Sequence, residues 1–350
     1  MTTAIALLNF GEPAEPDREV VVEYLTRIFY NNASLEDAET REEAMARSRQ
    51  LAERRAPGLI EEYEEIGGSP LNEQATAQAA AVEAELRNRG YDVDTYHGMQ
   101  FLDPLIEDLP AQMRDDGAER VIGLPIYPLC GPSTTVAALD NLEAATDEVD
   151  GWDPEFAAIT GWHRHPAYTR LRAEGIASFG EDRNVDLDDP GTALLFSAHG
   201  TPIHYVDEGY RYVEYVEEHC EALAAILGVD DYELGYQNHS NRDIPWTEPD
   251  VEEVVEELDA ERVIVEPMTF LHEQSETLAE LDVDLHEDAE AIGLEFHRVP
   301  VPHDDDRLPS LLADLVEPFL AGFDPGYHQL RRCQCRDNPG TFCLNAERAP

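Results

Sequence analysis

The sequence predicts an α/β protein of two similar doubly wound, Rossmann-like domains, each with a parallel sheet, and a cleft between them. Three observations carry this. Strand-sized apolar runs alternate with helical stretches along the chain, the pattern of parallel sheets covered by helices on both faces. The plan also occurs twice: ALLNFGEP (6–13) and AERVIGLPIYPL (118–129) are matched by ALLFSAHGTP (193–202) and AERVIVEPMTFL (260–271). Finally, 350 residues with 42% hydrophobic content suffice for two cores of ordinary size.

In chain order, a first strand over 4–10 is followed by a helix over 17–30 and acidic helices over 36–56 and 70–89. The GGSP turn at 67–70 breaks the chain and offers a Ser cap before the last of these. Strand 92–98, helix 104–115, strand 119–127, helix 133–148 and strand 155–161 complete the first half. The second half reads strand 192–198, helix 208–227, strand 231–237, helix 249–259, strand 262–270, helix 275–291 and a strand near 294–299. The expected boundaries are an N-terminal domain over 1–160, with a helix from 308–325 packing back on it, a C-terminal domain over 161–307, and a cysteine-containing tail over 326–350.

The charge is extreme, with 75 acidic residues against 24 basic ones, a formal −51, and every basic residue is Arg. The acids are spread over nearly every helix, as in EEVVEELDAER, and the regular strand and helix patterns argue against disorder. Such a surface is expected of a halophilic protein, because dense carboxylates stay hydrated in multimolar salt while screening removes their repulsion. Nucleic acid is disfavoured as a partner, since phosphates would be repelled. The apolar runs fall short of the ~18–20 residues of a membrane span, and the N-terminus reads as a strand rather than a signal peptide. A cytoplasmic location is expected.

Two strand ends carry candidate chemistry. His199 follows ALLFSA and precedes a Gly-Thr-Pro turn, while Glu276 opens the helix after the strand in AERVIVEPMTFL. An imidazole titrating near neutrality suits proton transfer, although a strand-end His can also be simply solvated. Glu276, Glu280 and Asp284 lie four residues apart, which on one helix makes an acidic ridge about 12 Å long. In a chain this acidic, chance placement is the competing explanation. Trp246, in the Pro-rich DIPWTEP loop, suits a flat wall for a flat ligand. The run Ser133-Thr134-Thr135 opens a helix, as an anion site or as an ordinary N-cap. Five cysteines argue against a disulfide framework. Cys333, Cys335 and Cys343 crowd the tail like ligands, and both structural zinc and a [2Fe–2S] cluster need four. Cys220, midway along an amphipathic helix, reads as core.

Taken together these segments resemble the ferrochelatases, which insert ferrous iron into a porphyrin. The resemblance rests on FSAHGTP (196–202) with FLHEQSETLAELD (270–282), on LLNFGEP and YEEIGGSPLNEQ (63–74), on PIYP…STT (125–135), and on YQNHSNRDIPWTEPDVEEVVEEL (236–258), in register over residues 4–320. It implies a porphyrin and Fe²⁺ as substrates and His199 as proton acceptor or metal contact. Glu276 would face the porphyrin, with Glu280 and Asp284 as a relay leading away. Phe10, Phe101 and Trp246 would line the pocket, with Ser133 and Thr134 near a propionate. Some ferrochelatases hold a [2Fe–2S] cluster with three C-terminal cysteines and one internal one; Cys333, Cys335, Cys343 and Cys130 would supply these, structural zinc or free thiols being the other readings. The chain departs from the family at Gln274, where a His is usual, with His272 two residues earlier.

Protoporphyrin IX is the favoured substrate and coproporphyrin III the alternative. Phe10 stands where some coproporphyrin-type relatives carry a Tyr, whose oxygen can reach the metal; others carry Phe. A cobalt or nickel chelatase of the same superfamily would be His-rich at its metal site, and a haem or metal carrier would need no acidic relay. A hydrolase centred on Ser197 and His199 lacks the G-x-S-x-G elbow.

Overall fold

The structure, a computed structural model, describes residues 2–31, 40–238, 244–322, 330–336 and 338–344. The start of the helix expected over 36–56, residues 239–243 of the YQNHSNRD segment and parts of the tail lie outside them. The chain divides into two compact units. The first comprises Met1–Ile126, Ser133–Ala157 and His272–Ser275; the second comprises Tyr127–Pro132, Ala158–Leu271 and Glu276–Pro350.

In the first unit, β1 (Thr3–Asn9) is buried along its whole length, as befits a strand covered on both faces. It pairs in parallel with β2 (Val93–Met99) on one side and β3 (Arg120–Pro125) on the other. With β4 (Glu155–Thr160) the order is β2-β1-β3-β4. The connections carry α1 (Arg18–Asn31), α2 (Arg41–Ile66), α3 (Leu71–Asn88), α4 (Leu109–Asp115) and α5 (Ala137–Asp147). Thr40 caps α2 by accepting the Glu43 N–H at 3.2 Å, and Gly67, at φ 77°, ends it. An apolar cluster of Val21, Leu25, Phe29, Ala52, Ala56 and Tyr63 binds α1 to α2.

The second unit repeats the plan. Strand β5 (Thr192–His199) pairs in parallel with β6 (Glu233–Gln237) and β7 (Arg262–Pro267), and β8 (Glu295–Arg298) follows, giving β6-β5-β7-β8. Its helices are α6 (Pro166–Arg183), α7 (Ile203–Asp207), α8 (Tyr212–Leu227), α9 (Val251–Glu257), α10 (Ser275–Leu278), α11 (His286–Ala291) and α12 (Leu308–Leu320). The core joins Leu195, Val263 and Val265 of the sheet to Val251 and Val255 of α9 and to Leu281 and Leu285.

Several elements differ from the sequence reading. Helix α6 was not foreseen, because its buried residues include Arg172 and Gly180 and draw no clean apolar stripe. Helix α12, expected against the first domain, groups with the second unit and packs on α6. The cysteine-containing tail carries short strands: β10 (Thr341–Cys343) pairs in parallel with the end of β4 and antiparallel with β9 (Arg331–Arg332).

Candidate active site

In the second sheet the strand order reverses between β5 and β7, the position where open α/β sheets leave a crevice at the carboxyl ends of their strands. His199 is the last residue of β5, and the loop leaving β7 leads to Glu276. The half-buried His199 has Nδ1 2.6 Å from the Gly200 carbonyl. A carbonyl can only accept, so that bond assigns a proton to Nδ1. The main chain is held as well: the His199 N–H donates to Thr269 Oγ1 at 3.1 Å, and the His199 carbonyl accepts the Tyr212 hydroxyl at 2.8 Å. Gly200 follows because a Cβ there would sit 1.7 Å from Asn238 Oδ1 and 3.0 Å from the Gln237 carbonyl.

The loop carrying Thr269 is fixed by a buried ion pair. Arg172 of α6 pairs with Glu266 of β7 and donates to the Phe270 carbonyl at 2.8 Å and the Pro267 carbonyl at 2.9 Å. Burial pushes the Glu266 carboxyl up from its ordinary value, and the Arg172 guanidinium pulls it back.

The acids are graded by exposure. Glu276 is 8% exposed, Glu280 half-buried and Asp284 exposed. Gln237, opposite His199 in the sheet register, ties them to β5. Its Nε2 donates to the Glu276 carbonyl at 2.8 Å and to Glu280 Oε2 at 2.9 Å, and its Oε1 accepts the Ser197 hydroxyl at 2.8 Å. Tyr127 also feels Glu276: desolvation first, and then that carboxylate, pushes its phenol well above the ordinary range. The helix expected over 275–291 is broken. A π turn, Glu280–Leu285, separates α10 from α11, and the Val283 and Asp284 amides both reach the Ala279 carbonyl, at 3.1 and 2.9 Å. The wider turn moves Asp284 off the line an uninterrupted α-helix would draw through Glu276 and Glu280.

The half-buried Trp246 lies on a loop stitched to the turn after His199. Pro202 and Trp246 form an antiparallel bridge, and the Thr247 amide donates to the Thr201 carbonyl at 3.0 Å. In the first unit Phe10 meets Phe101 edge to face at 4.6 Å, and Phe101, 3% exposed, sits in the α1–α2 core. Ser133 and Thr134 are half-buried in a second π turn, Pro132–Val136, rather than on a regular helix N-terminus; the Ser133 carbonyl accepts Gln100 Nε2 at 3.1 Å.

The thiols of Cys130, Cys333 and Cys335 lie within 4.8 Å of one another. Cys343 Sγ lies 3.9 Å from the Arg332 carbonyl, and the neighbouring thiols of Cys130, Cys335 and Cys343 drive the Cys333 thiol far down. Cys335 is pushed up to about 11 and Cys130 well above the usual thiol range. The Thr160 hydroxyl donates to Cys333 Sγ at 3.2 Å, and the Tyr215 hydroxyl lies 3.8 Å from Cys335 Sγ. Cys220 is fully buried against Met268, its Sγ 3.5 Å from Sδ.

Gln237 and Arg172 were missed by sequence reasoning. Gln237 carried one usable signal, a polar residue closing an apolar strand; Arg172 carried none, since its partner Glu266 is far away along the chain.

By fold the chain is an α/β protein similar to two solved structures of chelatase type. SirB from Bacillus subtilis with Fe3+ superposes with a TM-score of 0.54 at 11% identity, over 94% of this chain and 98% of that one. The sirohydrochlorin chelatase SirB from Bacillus subtilis subspecies spizizenii, in complex with cobalt, gives 0.50 at 10% identity over 92% and 96%. The Ferrochelatase family model matches residues 2–319. The chain is 37% identical to the ferrochelatase of Synechococcus sp. (strain RCC307) over 75% of its length and 69% of that protein's. It is 28% identical to that of Geobacter sp. (strain M21) over 90% and 98%. The chain belongs to the ferrochelatase family. The thiol-bearing tail lies beyond the matched region.

Proposed function

We propose that this protein inserts Fe²⁺ into a porphyrin to make haem, with His199 and Glu276 at the reacting centre. The observation that carries the reading is that His199 ends β5 at the reversal of strand order, while Gln237, its partner in the sheet register, donates to the Glu276 carbonyl at 2.8 Å. The porphyrin must lose two pyrrole protons as the metal enters, so the balance is porphyrin plus Fe²⁺ giving iron porphyrin plus two protons. His199, with Nδ1–H committed to Gly200, presents Nε2 as the base for those protons. Glu276, Glu280 and Asp284 run from buried to exposed, a path along which hard carboxylate oxygens pass protons out or a partly hydrated Fe²⁺ in. Gln237 holds Glu280 in that path. Phe10, Phe101 and Trp246 are assigned to the porphyrin pocket, and Ser133 and Thr134 to a propionate.

The same reading gives the thiols a [2Fe–2S] cluster. Three thiols converge within 4.8 Å of one another, Cys343 neighbours Cys333 as the fourth donor such a cluster needs, and a zinc ion held by the same four thiolates is the competing occupant. Cys130, Cys333, Cys335 and Cys343 would hold it, and when bound it supplies a covalent tie between the tail and the loop after β3.

Steady-state iron insertion measured in multimolar KCl with protoporphyrin IX and with coproporphyrin III tests the assignment. Turnover with protoporphyrin IX is expected. A faster reaction with coproporphyrin III would move the substrate to the alternative. Tight porphyrin binding without turnover on either would replace the enzyme by a carrier.

A further inference from the structure

We infer that Glu12, supported by Asn72 and Gln74, is a positioning residue for Glu276, acting by fixing the segment His272–Ser275 that delivers it. The inference rests on the assignment of Glu276 proposed above. Glu12 belongs to LLNFGEP and is 1% exposed. Burying a carboxylate is costly unless donors replace its hydration. Both of its oxygens are used on one residue: Ser275 Oγ donates to Oε1 at 2.5 Å, and the Ser275 N–H donates to Oε2 at 3.0 Å. Glu12 is itself held by Asn72, whose Oδ1 accepts the Glu12 N–H at 3.0 Å and whose Nδ2 donates to the Glu12 carbonyl at 2.8 Å. Two residues on, Gln74 Oε1 accepts the Glu273 N–H at 2.9 Å.

The two first-half motifs that carry none of the proposed proton chemistry, LLNFGEP and GGSPLNEQ, therefore form one cradle. Gly68 permits it: at φ +91° it passes so close that a Cβ would lie 1.9 Å from the Ala14 carbonyl oxygen, and the next residue, Ser69, donates its N–H to the Pro13 carbonyl at 3.3 Å. The captured segment groups with the first unit although the residues on both sides of it belong to the second. Ser275 directly precedes Glu276, so immobilising its amide and its hydroxyl fixes the start of the peptide plane from which the Glu276 side chain is aimed. A carboxylate displaced by about 1 Å can cost up to ~10²-fold in rate.

The test compares Glu12→Ala, Glu12→Gln, Ser275→Ala and the Glu12→Ala/Ser275→Ala double variant, with Glu276→Gln in parallel. Read-outs are kcat, the KM for porphyrin, and amide hydrogen exchange over residues 273–276. Glu12→Ala should lower kcat about tenfold or more at unchanged porphyrin KM and speed exchange in that segment. Ser275→Ala should do the same, and the double variant should be no worse than either single one. Glu12→Gln, which keeps an acceptor, should recover most of the rate. If Glu12→Ala does not fold, Ser275→Ala with Glu12→Gln decides. A kcat within twofold of wild type in Glu12→Ala, or additive losses in the double variant, overturns the inference. An inactive Glu276→Gln beside a normal Glu12→Ala sinks this inference alone, whereas a fully active Glu276→Gln sinks the assignment beneath it.

Discussion

At His199 the ring's neighbours set its role more than its place in the sequence does. The Gly200 carbonyl holds Nδ1–H, and Thr269 and Tyr212 fix the main chain on either side. His199→Ala should lower iron insertion ~10²–10⁴-fold with porphyrin binding retained, measured as turnover and as fluorescence quenching on the same preparation. Asp284→Asn, at the exposed end of the acidic path, should be much milder. Two other histidines bear on stability. His163 and His219 are buried, and desolvation lowers both; Glu218 raises His163 without reversing that, and His163 lowers His219 further. The folded protein keeps them neutral where the unfolded chain, titrating near 6.5, takes up protons. Stability should therefore fall as pH drops below about 6.5, by about 1.4 kcal/mol per pH unit for each histidine until its folded value is reached. Urea midpoints at pH 7.5 and 5.5, in constant multimolar salt, should differ less in His219→Phe than in wild type. An equal difference would assign the acid sensitivity to other groups.

Among the elements, the two π turns stand at corresponding places, after the central strands β3 and β7. Both fall in segments the sequence marked for function, and both read in the sequence as ordinary helix. The tail is the other informative element. Short strands β9 and β10 bring Cys333 and Cys343 together, through a bond from the Cys333 N–H to the Thr341 carbonyl at 3.0 Å. Protein purified without oxygen should be reddish-brown, with about two irons and two sulfides per chain. Cys130→Ser should bleach it as fully as Cys335→Ser. A colourless protein carrying one zinc would replace the cluster while leaving the chelatase assignment intact.

For the whole molecule the dominant quantity is a net charge of −51. Pairs such as Arg27–Glu23 and Arg87–Asp94 occupy some of the carboxylates, but exposed pairs contribute little each, and arginines are far outnumbered. We propose a halophilic surface, whose self-repulsion needs salt to be screened. Circular dichroism should show loss of structure as ionic strength falls toward about 0.01 M, where the Debye length reaches roughly 30 Å. A fold unchanged there would refute this account. Among the described residues no helix is long and apolar enough to cross a membrane.

The sequence by itself determined the doubled α/β plan, the family, the strand end bearing His199 and the helix start bearing Glu276. Strand burial, turn residues and motif spacing are local properties, and they repeat where the fold repeats. Only the tertiary structure decided what holds those residues. The Arg172–Glu266 pair, the Gln237–Glu280 bond and the seat of Ser275 on Glu12 join residues 94, 43 and 263 positions apart. No periodicity encodes such partners, because a buried polar side chain is specified by the distant group that satisfies it and not by its neighbours in the chain.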